Sequence, residues 1–115
     1  MPRYIKMYNK AFDDFYECGE CEKELSISDI DTSDWTCKEC KEKVVIYSTE
    51  TKRPLIRLFS TEVNKSDFIF NYHQGEFVEI RGITELTNKK QRMFGLANYG
   101  GQEVGLKDFV DCLWR

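Results

Sequence analysis

The chain has 115 residues, of which 41% are hydrophobic, 14% aromatic and 32% charged, and its formal net charge is −3. This composition predicts a soluble globular protein and argues against a disordered or low-complexity chain. Residues 1–6 include no apolar signal segment, and no run is long enough to span a membrane. We therefore expect a cytoplasmic protein without a membrane partner.

In chain order, the first 47 residues contain short candidate strands arranged around two pairs of cysteines. Residues 4–8 predict a short extended stretch. Residues 15–17 predict a strand that leads into the first cysteine pair, and residues 44–47 predict the strand that leaves the second pair. The N-terminal unit is therefore predicted to span residues 1–47.

The two cysteine pairs are the strongest functional signal in the sequence. Cys18 and Cys21 form one C-x-x-C motif, Cys37 and Cys40 form another, and fifteen residues separate the two motifs. Each motif curls the backbone so that both sulfur atoms lie on its concave side, and two motifs supply the four thiolates of a tetrahedral zinc site. Because all four coordination positions are taken, we predict a structural Zn²⁺ rather than a catalytic one.

Other uses of these cysteines stay open. Iron binds the same four sulfur atoms in rubredoxin-like sites. The chain has five cysteines, an odd number that prevents complete disulfide pairing within one molecule, although free thiols or partial pairing remain alternatives. A redox C-x-x-C motif is expected once, beside a βαβ pattern that this sequence lacks. Zinc is the preferred interpretation.

Residues 15–47 resemble the zinc-ribbon, or rubredoxin-like, family. A predicted strand precedes the first cysteine pair, Trp35 stands two residues ahead of the third cysteine, and another predicted strand follows the fourth. Glu22 and Lys41 follow the two motifs, at positions where many ribbons have glycine. The resemblance implies a structural metal site held by the four cysteines.

The sequence pattern of the remaining residues predicts β structure. Residues 48–54 are polar and include a proline, so we predict a linker between the N-terminal unit and a domain of residues 55–115. The candidate strands of this domain are residues 55–59, 68–72, 75–83, 92–97, 103–106 and 108–114. Short strands separated by glycines predict a small β-barrel, because closure removes the exposed edges of a sheet.

Residues 75–114 resemble SH3-like barrels. Val78 and Ile80 belong to an early G-x-x-V-x-I strand, and residues 101–106 followed by 109–113 resemble the closing turn and last strand of those domains. An OB-fold strand would also fit residues 78–82, and that alternative stays open. The predicted fold class is therefore mainly β, with an N-terminal four-cysteine zinc ribbon followed by a small SH3-like or OB-like β-barrel.

Catalytic residues are poorly supported by the sequence. His73 is the only histidine and has no identifiable acid, base or nucleophile beside it. Cys112 lies in an apolar strand, where a buried, inert thiol is expected. The sequence also lacks the phosphate-loop, H-E-x-x-H and G-x-S-x-G motifs. We therefore predict that the protein is not an enzyme.

The distribution of charge along the chain indicates which class of binding partner is favoured. Residues 1–47 have 7 basic and 11 acidic side chains, whereas residues 48–115 have 10 basic and 9 acidic side chains. An acidic half repels phosphate backbones and favours a basic protein surface. The leading prediction is therefore an adaptor or inhibitor that docks an acidic face on another protein, such as the basic surface of a nucleic-acid enzyme. This predicted acidic face consists of Asp13, Asp14, Glu17, Glu20, Glu22, Asp29, Asp31 and Asp34.

The alternative is an accessory module that contacts RNA or DNA in transcription, translation or DNA processing. Aromatic rings at Tyr72, Phe77 and Tyr99 could stack on bases if basic side chains nearby held the backbone. The predicted basic set for this contact consists of Lys52, Arg53, Arg57, Lys89, Lys90 and Arg92.

Overall fold

A computed structural model describes residues 5–115 of the chain; residue 4 of the predicted stretch 4–8 lies outside this range. The eleven strands within this range are β1 (Phe15–Cys18), β2 (Lys23–Leu25), β3 (Ile30–Asp31), β4 (Thr36–Cys37), β5 (Val45–Tyr47), β6 (Leu55–Phe59), β7 (Phe68–Asn71), β8 (Glu76–Leu86), β9 (Gln91–Leu96), β10 (Gly100–Gly105) and β11 (Phe109–Leu113). Short 3₁₀ turns are found at Lys10–Phe12, Ile27–Asp29, Ser60–Glu62 and Thr87–Lys89. The predicted mainly β class is confirmed.

Nine of these strands form one antiparallel sheet. Their order is β10-β9-β8-β7-β11-β6-β5-β1-β2, and β3 and β4 form a separate two-stranded sheet. The large sheet ends at β10 and β2, and neither sheet closes on itself within residues 5–115. The predicted closed barrel is therefore not confirmed. Within the described range, no helix has the length and apolar character needed to cross a membrane.

Strands β6 to β11 contribute side chains to a shared core. The pairing of β8 with β9 shifts register between Ile80 and Gly82, and such a bulge bends a strand and increases its twist. The shared core contains Ile5, Ile56, Leu58, Val63, Ile69, Val78, Ile80, Phe94, Leu96, Tyr99, Val104, Val110 and Cys112.

The N-terminal segment takes part in this core. Ile5 packs within it, the Asp111 N–H donates to the carbonyl oxygen of Met7 at 2.7 Å, and the Tyr72 N–H donates to the carbonyl oxygen of Lys6 at 2.8 Å. Strand β11 pairs with β7 only at Cys112. The N-terminal segment therefore accepts hydrogen bonds from backbone groups beside this short pairing.

The predicted linker, residues 48–54, connects two strands that pair with each other. Val45 of β5 lies opposite Ile56 of β6, and the connecting segment buries Ser48 and Thr51. The Thr51 hydroxyl donates to the carbonyl oxygens of Ser48 and Arg53, at 3.2 and 2.7 Å. Strands β1, β2 and β5 of the predicted ribbon, which we call the ribbon strands, therefore continue directly into the rest of the sheet.

A second core lies under the ribbon strands. Its buried members are Cys18, Leu25, Ile30, Trp35, Cys37, Val44, Ile46, Leu55 and Phe70. Leu55 and Phe70 belong to the predicted C-terminal domain, whereas the others belong to the predicted ribbon. The two predicted units thus share hydrophobic packing as well as strand pairing.

Candidate metal centre and the buried arginine cluster

Two strand ends position the four cysteines of the ribbon. Cys18 is the last residue of β1 and Cys37 the last of β4, and both are buried. Cys21 and Cys40 follow in the tight turns after these strands and are half-buried. The Cys21 N–H donates to the Cys18 sulfur at 3.3 Å, which holds the first motif in its curled form.

The four sulfur atoms form one compact cluster. All of them lie within 4.8 Å of one another, and Cys18 Sγ lies 3.3 Å from Cys40 Sγ. A tetrahedral site with zinc–sulfur distances of about 2.3 Å has sulfur–sulfur edges of about 3.8 Å. The prediction that these cysteines come together is confirmed, and the cluster has the ligand type and spacing to hold one metal ion. All five cysteines are free thiols in the structure.

The local environment shifts the pKa values of the thiols in different directions. Backbone N–H groups of Cys40 and Glu39 lower the pKa of the Cys37 thiol to about 7. Hydrogen bonding to Cys18, together with burial, raises the pKa of the Cys21 thiol. Four sulfur atoms so close together share protons unless a cation neutralises them, so a bound dication is needed for all four to act as thiolates.

The residues that follow the two C-x-x-C motifs adopt a backbone conformation that glycine usually provides. Glu22 has a φ angle of 53° and Lys41 one of 65°, both in the left-handed region that glycine prefers. The Lys41 N–H also donates to the Cys37 carbonyl oxygen at 2.8 Å, which closes the second turn. The departure from glycine therefore changes the side chain but not the local conformation.

We expect Lys41→Gly to leave the free energy of unfolding unchanged or to raise it by up to about 1 kcal/mol, because glycine adopts this φ without strain. Lys38→Gly in the same knuckle is the matched control, since Lys38 is equally exposed and lacks a positive φ. The control should lose about 0.5–1 kcal/mol. Urea denaturation of the zinc-loaded variants measures both values, and equal losses would contradict the argument.

A buried arginine cluster packs against Trp35, which shares a core with Cys18 and Cys37. Arg57 on β6 is fully buried, and its guanidinium group stacks between Trp35 and Tyr8, with Cζ 4.4 and 4.7 Å from the two ring centroids. Its N–H groups donate to both carboxylate oxygens of Asp13 (2.8 and 2.9 Å) and of Asp111 (2.6 and 3.0 Å). This one side chain therefore joins the N-terminal segment, the ribbon and β11.

Two tyrosine hydroxyls complete the cluster. Tyr72 donates to Asp111 at 2.5 Å, and Tyr16 donates to Asp13 at 2.7 Å. Burial raises the pKa of the Asp111 carboxyl, and burial together with the neighbouring carboxylates raises the pKa of both tyrosines. The cluster holds one guanidinium and two carboxyl groups, so its charge balance depends on Arg57.

This cluster corrects two residues of the predicted surfaces. Arg57 belongs to the predicted basic set, but it is fully buried and its N–H groups are bound to two carboxylates, so it cannot contact a nucleic acid. Asp13 belongs to the predicted acidic face, but its side chain is only 3% exposed in the ion pair with Arg57.

The rest of the predicted basic set is divided between turns and internal contacts. Arg92 donates to the carbonyl oxygens of Ser60 and Val63 and forms an ion pair with Glu85, and Lys89 pairs with Glu103. The members of the set that are exposed and form no ion pair within residues 5–115 are Lys52 and Arg53, in the turn between β5 and β6, and Lys90, in the turn between β8 and β9.

Several members of the predicted acidic face also stabilise turns. Asp14 accepts from the Thr49 N–H, and Asp34 accepts from the Thr36 hydroxyl. Asp29 and Asp31 accept from Ser26 and Ser33, and these hydrogen bonds lower the pKa of both carboxyls, which keeps them charged near neutral pH. Glu20 and Glu22 are exposed, and Glu17 is half-buried.

The two residues considered for catalysis lie in different environments. His73 is exposed in the turn between β7 and β8. Cys112 is fully buried in β11 opposite Ile56 and Ile69, and burial raises the pKa of its thiol well above 9. A neutral thiol in this position is a poor nucleophile.

Comparison with known proteins does not extend these findings. No protein-family model matches the chain, and no curated protein or solved structure gives a significant match. The resemblances to zinc ribbons and to SH3-like barrels therefore stay predictions, and function has to be argued from the site and the surface.

Proposed function

We propose that the chain is a non-enzymatic zinc protein of the cytoplasm that acts as an adaptor or inhibitor by binding another protein. Four cysteine sulfur atoms within 4.8 Å of one another suit a structural Zn²⁺, with iron as the less favoured ion for the same ligands. Reduced thiols of this kind are typical of a reducing compartment. The zinc ribbon supplies a rigid scaffold, and the remaining strands form an open relative of an SH3-like or OB-like barrel.

The observation that supports a protein partner is that internal contacts remove a larger share of the predicted basic set than of the predicted acidic face. Arg57 and Arg92 of the predicted basic set are held in internal contacts, whereas Lys89 stays exposed in a surface ion pair with Glu103. Of the predicted acidic face, only Asp13 is buried in an ion pair, and the other carboxylates are exposed or half-buried. An exposed surface rich in carboxylates favours a basic protein surface over a phosphate backbone.

A nucleic-acid contact is the second candidate, and one observation favours it. The rings of Phe15 and Tyr47 stack with centroids 4.5 Å apart, and a cavity of about 260 Å³ beside them is also lined by Lys52 and Arg53. An exposed ring next to two cations is the combination that binds single-stranded nucleic acid. This site would be small and surrounded by the acidic ribbon.

Nuclease treatment distinguishes the two candidate functions, because it destroys a nucleic-acid ligand and leaves a protein partner intact. We expect the tagged, zinc-loaded protein to retain a protein partner from a nuclease-treated lysate, and retention to weaken as salt screens the acidic surface. We also expect no tight binding to single-stranded or duplex oligonucleotides in a gel-shift assay. Oligonucleotide binding that falls steeply with salt and is lost in Lys52→Glu would instead support the second candidate.

A further inference from the structure

The outer face of the ribbon strands has two rows of side chains with different chemistry. Tyr16 and Cys18 of β1 point toward the second core, so Phe15 and Glu17 point to the opposite face because side chains alternate along a strand. Phe15 lies opposite Tyr47 of β5, and Glu17 lies opposite Glu24 of β2. An aromatic row and a glutamate row are thus neighbours on this face.

The aromatic row borders a groove that has both apolar and acidic side chains in its walls. The Phe15 side chain is 42% exposed although its ring stacks on Tyr47, and Ile27 is 47% exposed in the 3₁₀ turn after β2. These two side chains and the buried Leu25 line a groove of about 540 Å³, which we call the ribbon groove. The carboxylates that also line it are Asp14, Glu24 and Asp29.

The glutamate row is electrostatically unfavourable as it stands. Like charges directly opposite each other on neighbouring strands destabilise a sheet. Neither Glu17 nor Glu24 forms an ion pair or side-chain hydrogen bond within residues 5–115, and the nearby Lys23 pairs with Glu39 instead. A cation supplied from outside the chain would relieve this repulsion.

The position of β2 leaves room for such a partner. This strand is the last in the nine-stranded sheet and pairs only with β1 in the described part of the chain. Its outer side therefore presents an unpaired edge next to the ribbon groove. A peptide segment can reach the ribbon groove and the two glutamates from the same direction.

We propose that the ribbon groove and the Glu17–Glu24 pair dock a segment of a partner protein in which a lysine or arginine stands next to a bulky apolar residue. The apolar side chain packs against Phe15 and Ile27, and the basic side chain lies between the two glutamates. This inference rests on the proposed protein-binding function and specifies its recognition site. A nucleic-acid strand is disfavoured here, because its phosphates would face Glu17, Glu24 and Asp29.

Phage-displayed random peptides, selected on the full-length, zinc-loaded protein, provide the test. We expect the enriched peptides to place a lysine or arginine beside leucine, isoleucine, phenylalanine or methionine. A synthetic peptide with the consensus should bind about tenfold or more weakly to Phe15→Ser than to the unmodified protein. Phe68→Ser is the matched control, because Phe68 is 43% exposed and lies on the distant strand β7, and it should bind as the unmodified protein does.

A second variant separates binding from folding. The double substitution Glu17→Gln and Glu24→Gln should weaken peptide binding to a similar extent, while the melting temperature stays the same or rises because the repulsion is removed. Glu79→Gln on β8 is the control for an exposed glutamate. Enriched peptides without the basic–apolar pair, unchanged binding by Phe15→Ser, or equal loss in Phe68→Ser would overturn the inference.

Two further results distinguish this site from the general proposal. If the lysate partner is retained equally by the unmodified protein and by Phe15→Ser, the protein-binding function stands and the ribbon groove is not its site. If a single-stranded oligonucleotide binds to the protein and Phe15→Ser abolishes that binding, the face recognises nucleic acid, and both the docking inference and the leading function are wrong.

Discussion

Replacing Cys37 with serine is expected to abolish stoichiometric metal binding and to unfold the ribbon. Cys37 is buried at the end of β4, and its sulfur belongs to a cluster with all members within 4.8 Å of one another. Structural zinc supplies about 10–16 kcal/mol of apparent binding free energy, which is comparable to the total stability of a small domain. The variant should contain much less than one metal ion per chain and should lose the cooperative melting of the ribbon.

Elemental analysis and circular dichroism measure these two effects. The unmodified protein should contain close to one zinc per chain, whereas iron would identify a rubredoxin-like site. Cys112→Ala is the control, because this thiol is equally buried but lies in β11 outside the cluster. The control should keep its metal and lose about 1–3 kcal/mol through a cavity in the core. Unchanged metal content and melting in Cys37→Ser would refute the assignment.

The second large effect is expected for Arg57→Met. Methionine approximates the length of the arginine side chain, but it leaves the carboxylates of Asp13 and Asp111 buried without a cation. Removing one partner of a buried ion pair costs about 3–5 kcal/mol. The stacking on Trp35 and Tyr8 also loses its cationic component. Urea denaturation of the zinc-loaded protein near neutral pH should show this loss.

The pH dependence of that loss follows from Asp111. Burial raises the pKa of this carboxyl in the folded protein, so its contribution to stability is fully present below the pKa of the unfolded chain and is lost as pH rises through the folded pKa. Arg57 opposes this rise, and its removal should raise the pKa of Asp111 further. The deficit of Arg57→Met should therefore be smaller in mildly acid solution than at neutral pH.

A triple variant tests the electrostatic explanation. Combining Arg57→Met with Asp13→Asn and Asp111→Asn removes the unpaired charges, so part of the lost stability should return and its pH dependence should flatten. A deficit that is the same at all pH values, and that the triple variant does not reduce, would show that lost packing explains the effect.

The metal ligands could be predicted because the signal is local. Two residues between Cys18 and Cys21 determine the shape of the turn, and the same spacing recurs at Cys37 and Cys40. The structure adds that Lys41 adopts the conformation usually reserved for glycine. Such a conformation is set by the hydrogen bonds of the whole turn, and a side-chain preference alone does not reveal it.

The path of the sheet could not be predicted in the same way. Closure depends on strand register and on which segment lies next to β11, and both are long-range properties. The bulge after Ile80 and the hydrogen bond between Asp111 and Met7 join residues that are distant in sequence. Alternating apolar residues identified the strands, but they contain no information about these neighbours.

The buried cluster was missed although the sequence contains a signal for it. Arg57 is the only charge in the apolar strand β6, and Asp111 is the only charge in the apolar strand β11. In the structure these two residues lie directly opposite each other. Opposite charges at the centres of two apolar strands predict pairing between them. Without knowledge of this pairing, Arg57 is expected to be a surface cation, and it therefore belongs to the predicted basic set.

The pairing of β5 with β6 has a consequence for how tightly the proposed protein partner would be held. A ribbon on a loose tether would lose orientational entropy each time that a bound partner touched both halves of the molecule. Here Ile46 faces Leu55 across two hydrogen-bonded strands, so the relative orientation of the halves is fixed before any encounter. That orientational entropy has already been lost on folding. The binding free energies of contacts made by the two halves can therefore add without a further ordering cost.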